Sequence, residues 1–182
     1  MVYVFLANGF EIIEALTPVV CLRRAGIEVC TVGIEGEWIT GSKDVTVHAD
    51  KRVEEVDLSD AEMLVLPGGL GGVKGISESA CAMELLRKAY AAGMRISAIC
   101  AAPTILAHEG WLNGKKCVCY PDMLDELTKA GGLVCPDAAV VCDGQFITAK
   151  AAGASEEFAF ALIEALKGRD TVQSVRASIC AR

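Results

Sequence analysis

Two apolar rhythms alternate along this chain, and that alternation constrains its fold more than any other feature. Short, mostly apolar runs recur at residues 2–6, 28–32, 63–66 and 95–99. Runs of this length, bounded by turn residues, read as strands buried on both faces. Between them lie stretches with helical spacing. Residues 11–25 carry Ile12, Leu16, Val19 and Leu22 on one face, with Arg23 and Arg24 in the last turn and Gly26 as the stop. Ser77 can cap a helix running to Tyr90, residues 101–109 read as a helix with Pro103 in its first turn, and Ser155 with Glu156 and Glu157 opens another through Leu166. Strand, helix, strand in repetition predicts βαβ units and a mainly parallel sheet.

The remaining segments are less regular. Residues 33–60 hold short alternating pieces at 38–40 and 45–47, read as a β-hairpin or an edge excursion. Residues 116–120 read as a strand and 123–130 as a short helix. Val140-Val141 and residues 146–148 bracket Asp143-Gly144, a strong hairpin signal. A short amphipathic piece follows from Thr171. With no linker, repeat or low-complexity stretch, residues 1–182 are expected to form a single α/β domain. Aromatic residues make up only 5% of the chain, so the core must be aliphatic, which suits helices layered on a sheet.

A net charge of −7 argues against nucleic-acid and anionic-membrane partners. No apolar run approaches the roughly 18–20 residues of a membrane span. The opening residues lack the charged n-region and cleavage site of a signal peptide. Nine cysteines, an odd number without a CxxC pair, then read mostly as reduced, buried small hydrophobes in a cytoplasmic protein. His48 and His108 are the only histidines and lie far apart, so neither a metal nor an organic cofactor is expected.

In parallel α/β sheets ligands bind beyond the carboxyl ends of the strands. Three loops qualify: 8–11, 67–72 and the turn at Cys100. Cys100 follows a strand and precedes a helix, where free N–H groups and the helix dipole favour thiolate; the alternative is one more inert buried thiol. Small neighbours Ala98, Ala101 and Ala102 allow a sharp turn like a nucleophile elbow, although G-x-S-x-G is absent. Gly68-Gly69 reads either as an oxyanion-stabilising turn or as a plain turn, and the glycine run 68–75 matches no nucleotide-binding spacing. Glu14 interrupts an apolar stretch; from the residues alone it reads as a solvated face shared with Glu11 rather than a buried acid. His108 lies roughly 12 Å along a continuous helix from Cys100 and cannot partner it, and His48 falls in the irregular segment.

Taken together, these loops resemble the ThiJ/PfpI superfamily, in its parkinsonism-associated, deglycase-like (glyoxalase III-like) branch. The carriers are Ala7-Asn8-Gly9-Phe10-Glu11-Ile12-Ile13-Glu14, Arg23-Arg24-Ala25-Gly26, Val65-Leu66-Pro67-Gly68-Gly69, Ala98-Ile99-Cys100-Ala101-Ala102-Pro103-Thr104 and Gly153-Ala154-Ser155 before Phe158 and Ala159. Each is modest alone; in this order they are highly specific and cover almost the whole chain.

The resemblance implies a flavodoxin-like three-layer sandwich and a homodimer. It implies that Cys100 is a reactive thiolate, Glu14 a protonated acid hydrogen-bonded to it, and the N–H groups of Gly69 and Ala101 donors to a substrate oxygen, which reverses the residue-level reading of Glu14. Gly68, Asn8 and Tyr120 become candidates for the substrate pocket. Protease-like members carry His directly after the cysteine, where this chain has Ala101, so proteolysis is not expected. Animal members carry His where Tyr120 falls, leaving a hydrogen-bond donor in place of a second acid/base. Two functions follow as expectations. One is a cofactor-free glyoxalase or deglycase acting on methylglyoxal or glyoxal adducts through a Cys100 hemithioacetal. The other is an oxidative-stress sensor or redox-regulated chaperone working through Cys100 sulfinate. The superfamily's association with thiamine biosynthesis finds no phosphate-binding motif here.

Overall fold

The structure, a computed structural model, describes residues 1–181. β1 (Val2–Leu6) leads into α1 (Ile12–Arg24) and β2 (Val29–Gly33). β3 (Trp38–Thr40), β4 (Thr46–His48) and β5 (Lys51–Arg52) follow, then β6 (Met63–Leu66), α2 (Leu70–Glu78), α3 (Ala80–Ala91), β7 (Arg95–Ile99) and α4 (Pro103–His108). The chain continues through β8 (Lys116–Cys117), α5 (Leu124–Lys129), β9 (Leu133–Val134), β10 (Val140–Asp143), β11 (Phe146–Ala149), α6 (Ser155–Lys167) and α7 (Arg169–Ser178).

The central sheet runs β10-β11-β7-β6-β1-β2-β5. All its pairs are parallel except β10 with β11, which close the Asp143-Gly144 hairpin expected from the sequence. The inner order β2-β1-β6-β7-β11 is the doubly wound, flavodoxin-like order, and its switch point falls between β1 and β6. Period-two alternation sends each strand's side chains to two cores. Tyr3, Phe5, Leu64, Leu66 and Ile96 meet Ile76, Leu86 and Ile105 of α2, α3 and α4. Val2, Val4, Leu6, Met63 and Val65 meet Val19, Leu22, Phe158 and Leu162 of α1 and α6 on the other face. With both faces covered, the strands read as continuous apolar runs rather than as alternating ones.

Several expectations need correction. The helix expected from Ser77 is two helices, with Ser79 as the cap of the second through the Ala82 N–H. Ser77 lies inside the first, its hydroxyl donating to the Val73 carbonyl. The glycine run is thus mostly helical. A Cβ on Gly71 would lie 2.8 Å from the Asn8 carbonyl oxygen, and one on Gly72 2.8 Å from the Phe10 Cα. These glycines let α2 press against the loop after β1, a packing demand that resembles a turn signal in sequence. The strand expected at 116–120 shrinks to Lys116–Cys117, paired with Leu133–Val134 in a separate two-stranded sheet. The excursion after β2 contains the expected hairpin, β3 with β4, and the edge strand β5. All nine cysteines are free, but only Cys21, Cys30, Cys117 and Cys119 are buried, and Cys142 and Cys180 are exposed. Among the described residues, no helix is long and apolar enough to cross a membrane.

Phe158 is fully buried where α6 meets the sheet. Truncation by Phe158→Ala should cost about 3–5 kcal/mol. Urea unfolding followed by circular dichroism would register this as a lower midpoint with an unchanged slope.

Candidate active site

The three loops picked out by the sequence converge beyond the carboxyl ends of β1, β6 and β7. The loop after β1 is tied to the turn after β6 by the Glu11 N–H, which donates to the Gly68 carbonyl at 3.0 Å. Cys100 is anchored on both sides. Its N–H donates to the Ala149 carbonyl at 3.0 Å and its own carbonyl accepts from the Tyr120 N–H at 2.8 Å. Its φ of 64° lies in the left-handed region, unusual for a residue with a Cβ. Strain of this kind, held by neighbouring elements, is typical of a functional turn and resembles the elbow expected from the small neighbours.

Glu14, in the first turn of α1, is 1% exposed. Its Oε2 accepts from the Gly68 N–H at 2.9 Å, and its carboxyl is also within hydrogen-bonding reach of the Cys100 thiol and the Ala152 N–H. The solvated reading of Glu14 is therefore corrected. Its position one turn into α1 points it under the sheet edge, and the tertiary contacts that bury it are remote in sequence. Gly68 has to be glycine for the same reason. A Cβ there would sit 2.6 Å from Glu14 Oε2 and 2.7 Å from the Cys100 Cβ.

Burial pushes the Glu14 carboxyl up to about 7, despite the hydrogen bonds from Cys100 and Gly68 that favour its ionised form. Burial and the adjacent Glu14 carboxylate push the Cys100 thiol up to about 12, opposed by the N–H groups of Ala101 and Gly69. Burial raises both groups, and the Glu14 carboxylate adds to the rise of Cys100. The pair gives up one proton near neutrality and holds the second far above it. The expectation of a thiolate favoured by a helix N-terminus is corrected: burial and the Glu14 carboxylate push the thiol up, and α4, which starts only at Pro103, is six residues long.

The site opens into a cavity of about 710 Å³ whose lining includes Glu14, Gly69, Cys100, Ala101 and Tyr120. Gly68 lies behind this lining and orients Glu14. Asn8 is also off it: its side-chain carbonyl accepts from the Thr40 N–H at 2.9 Å, which fastens the β3–β4 hairpin to the site. His48 packs edge-on against Trp38, and His108 pairs with Glu126, so neither histidine reaches the cavity. Sequence reasoning missed Ser42, Lys43, Asp122 and Met123, which also line it. They come from the hairpin and from the short turn after Tyr120, segments without a chemical motif. No cluster of three or more metal-ligating side chains occurs among the described residues.

A strained cysteine beside a buried acid at the switch point of a flavodoxin-like sheet defines a class of cysteine-centred α/β proteins. Residues 1–165 match the model of the DJ-1/PfpI family, and the chain belongs to that family. It is 40% identical to protein dj-1beta of Drosophila melanogaster over 173 residues, 94% of this chain and 92% of that one. The crystal structure of Drosophila DJ-1beta superposes with a TM-score of 0.94, covering 100% of this chain and 97% of the other. An oxidized DJ-1 of Toxoplasma gondii superposes with a TM-score of 0.92 at 31% identity, covering 98% and 97%. A deglycase of Pyrococcus abyssi is 32% identical over 152 residues, 84% of this chain and 90% of the relative.

Two predictions follow from this geometry. Gly68→Ala should separate Glu14 from Cys100 and, by removing the carboxylate that holds the thiol protonated, speed iodoacetamide alkylation of Cys100 about tenfold, with the far-ultraviolet spectrum unchanged. The second concerns pH. Folded Glu14 binds its proton more tightly than an unfolded glutamate near 4.5, so this group's contribution to stability is full at low pH and declines as pH rises from about 4.5 through 7. At 1.36 kcal/mol per pH unit the decline attributable to this group is about 3 kcal/mol. Urea unfolding between pH 5 and 8 should reveal the slope, and Glu14→Gln should flatten it.

Proposed function

We propose that this chain is a cofactor-free, cysteine-dependent glyoxalase or deglycase. The observation that carries the reading is the Glu14 carboxyl, buried within hydrogen-bonding reach of Cys100 at the floor of an open cavity. The deglycase name of the Pyrococcus relative supports the same class of chemistry.

In the reactive form one proton sits on Glu14 and Cys100 is thiolate. The sulfur attacks the aldehyde carbon of methylglyoxal, and the carbonyl electrons move to oxygen. The N–H groups of Gly69 and Ala101 address the sulfur, which supports a role for them as donors to this developing oxyanion. The oxyanion takes the Glu14 proton, giving a hemithioacetal. Glu14 carboxylate then removes the hydrogen on that carbon and returns a proton to the neighbouring carbonyl carbon, while the hemithioacetal hydroxyl proton passes to the neighbouring carbonyl oxygen. The first carbon is oxidised to a thioester while the second is reduced to a carbinol. Water cleaves the thioester, releasing lactate and regenerating the pair. The net change is methylglyoxal plus water to lactate, an internal redox reaction that consumes no oxidant. Glyoxal adducts of amines or thiols enter the same path once the amine or thiol departs. Tyr120 serves as a hydrogen-bond donor at the wall.

The chain acts as a single domain and as a homodimer in this reading. Ile13 and Val20 of α1, about half exposed at 53% and 50%, suit a subunit contact. A second reading, peroxide sensing through Cys100 sulfinate, draws on the half-buried, cavity-facing thiol and on the oxidized state in the name of the Toxoplasma relative. Peroxide would supply the oxygen atoms, and a protonated Glu14 would donate to a sulfinate oxygen.

Purified protein given methylglyoxal should form lactate over many turnovers, Cys100→Ser should form none, and Glu14→Gln should lower kcat at least about 100-fold. Consumption limited to one equivalent per chain would overturn the enzyme reading and leave the sensor.

A further inference from the structure

Building on the glyoxalase reading, the cavity is larger than its simplest substrate needs. A volume of about 710 Å³ belongs to the range of drug-sized ligand pockets, whereas methylglyoxal has five heavy atoms. The surplus space lies towards the β3–β4 hairpin and the turn after Tyr120, which contribute Ser42, Lys43, Asp122 and Met123 to the lining.

Lys43 is the only cation among those lining residues. It sits on the hairpin turn and has no ion-pair partner among the described salt bridges. The turn that carries it is held firmly against the catalytic loop. The Gly9 N–H donates to the Thr40 carbonyl at 2.7 Å, the Thr40 N–H to Asn8 Oδ1 at 2.9 Å, and the Ser42 N–H to the Phe10 carbonyl at 2.8 Å. Three acids share the lining. Glu11 accepts from the Ser42 hydroxyl at 3.0 Å, and Glu14 is engaged with Cys100 and Gly68. Asp122 stands on the wall formed by the turn after Tyr120, a different element from the hairpin.

We propose that Lys43 is a specificity-determining residue that binds an anionic tail, so that the favoured substrates are 2-oxoaldehydes carrying a distal carboxylate or phosphate. The reacting end sits at Cys100 and the tail extends to the hairpin lip that carries Lys43. The chemistry is unchanged: the aldehyde carbon is oxidised, the adjacent carbonyl carbon is reduced, and water completes the balance to give a 2-hydroxy acid. Lys43 acts on binding, so it alters KM more than kcat.

The test compares methylglyoxal with 4,5-dioxopentanoate, which has the same reacting end and a carboxylate tail. The wild-type protein should show about tenfold higher kcat/KM for dioxopentanoate, carried by KM. Lys43→Met should reduce that preference about tenfold, Lys43→Arg should keep most of it, and raising salt from 0.05 to about 0.5 M should erode it in the wild type. Asp122→Asn should raise the preference. Turnover of both aldehydes with equal kcat/KM, or a preference indifferent to Lys43→Met, would overturn the assignment while leaving the glyoxalase reading intact. Turnover of neither aldehyde would overturn the glyoxalase reading and this assignment with it.

Discussion

The contact between the Glu14 carboxyl, the Gly68 N–H and Cys100 is the constraint on which the rest of the site depends. It joins three elements far apart in sequence: the first turn of α1, the turn after β6 and the turn after β7. A carboxyl removed from water must either be neutral or be well paired. Here it has hydrogen bonds from backbone and a thiol and, among the described residues, no ion-pair partner, and burial pushes it up to about 7. That contact links the carboxyl to the Cys100 thiol. It also explains why residue 68 has no room for a side chain.

The scaffold supplies this contact through its topology. The switch between β1 and β6 opens a crevice at the carboxyl edge of the sheet, and β7 delivers Cys100 beside it. Fully covered strands make the platform stiff, which is what a left-handed cysteine needs to persist. The Cys100 backbone is fastened to β11 through Ala149 and to the segment after β8 through Tyr120. The hairpin of β3 and β4 is an addition to this platform rather than part of it. It contributes no strand to the central sheet, and its turn sets one lip of the cavity.

Much of this was legible in the sequence. Strands β1, β6 and β7 were readable because burial on both faces leaves an uninterrupted apolar run, and α1 because its apolar spacing ends in two arginines and a glycine. Cys100 was readable from its position between a strand and a helix. The glycine run was misread because glycine serves both turns and close packing, and only the approach of α2 to Asn8 and Phe10 distinguishes them. The short strand β8 was overextended because Val118 and Cys119 are buried without ladder pairing; the Val118 N–H donates instead to the Thr148 hydroxyl at 3.0 Å.

By itself the sequence determined the alternation of strands and helices in a mainly parallel sheet, the loops that form its carboxyl edge, and the cysteine at one of them. These follow from local periodicity and from the residues that end helices and strands, both written within a few positions of each other. Tertiary structure alone decided the protonation of Glu14 and the identity of the cavity wall. A carboxyl's proton affinity depends on what surrounds it in space, and Gly68, Cys100 and Ala152 are dozens of residues away along the chain. Ser42, Lys43 and Asp122 reach the cavity because hydrogen bonds between distant backbones dock their loops there, a relation that no local pattern encodes.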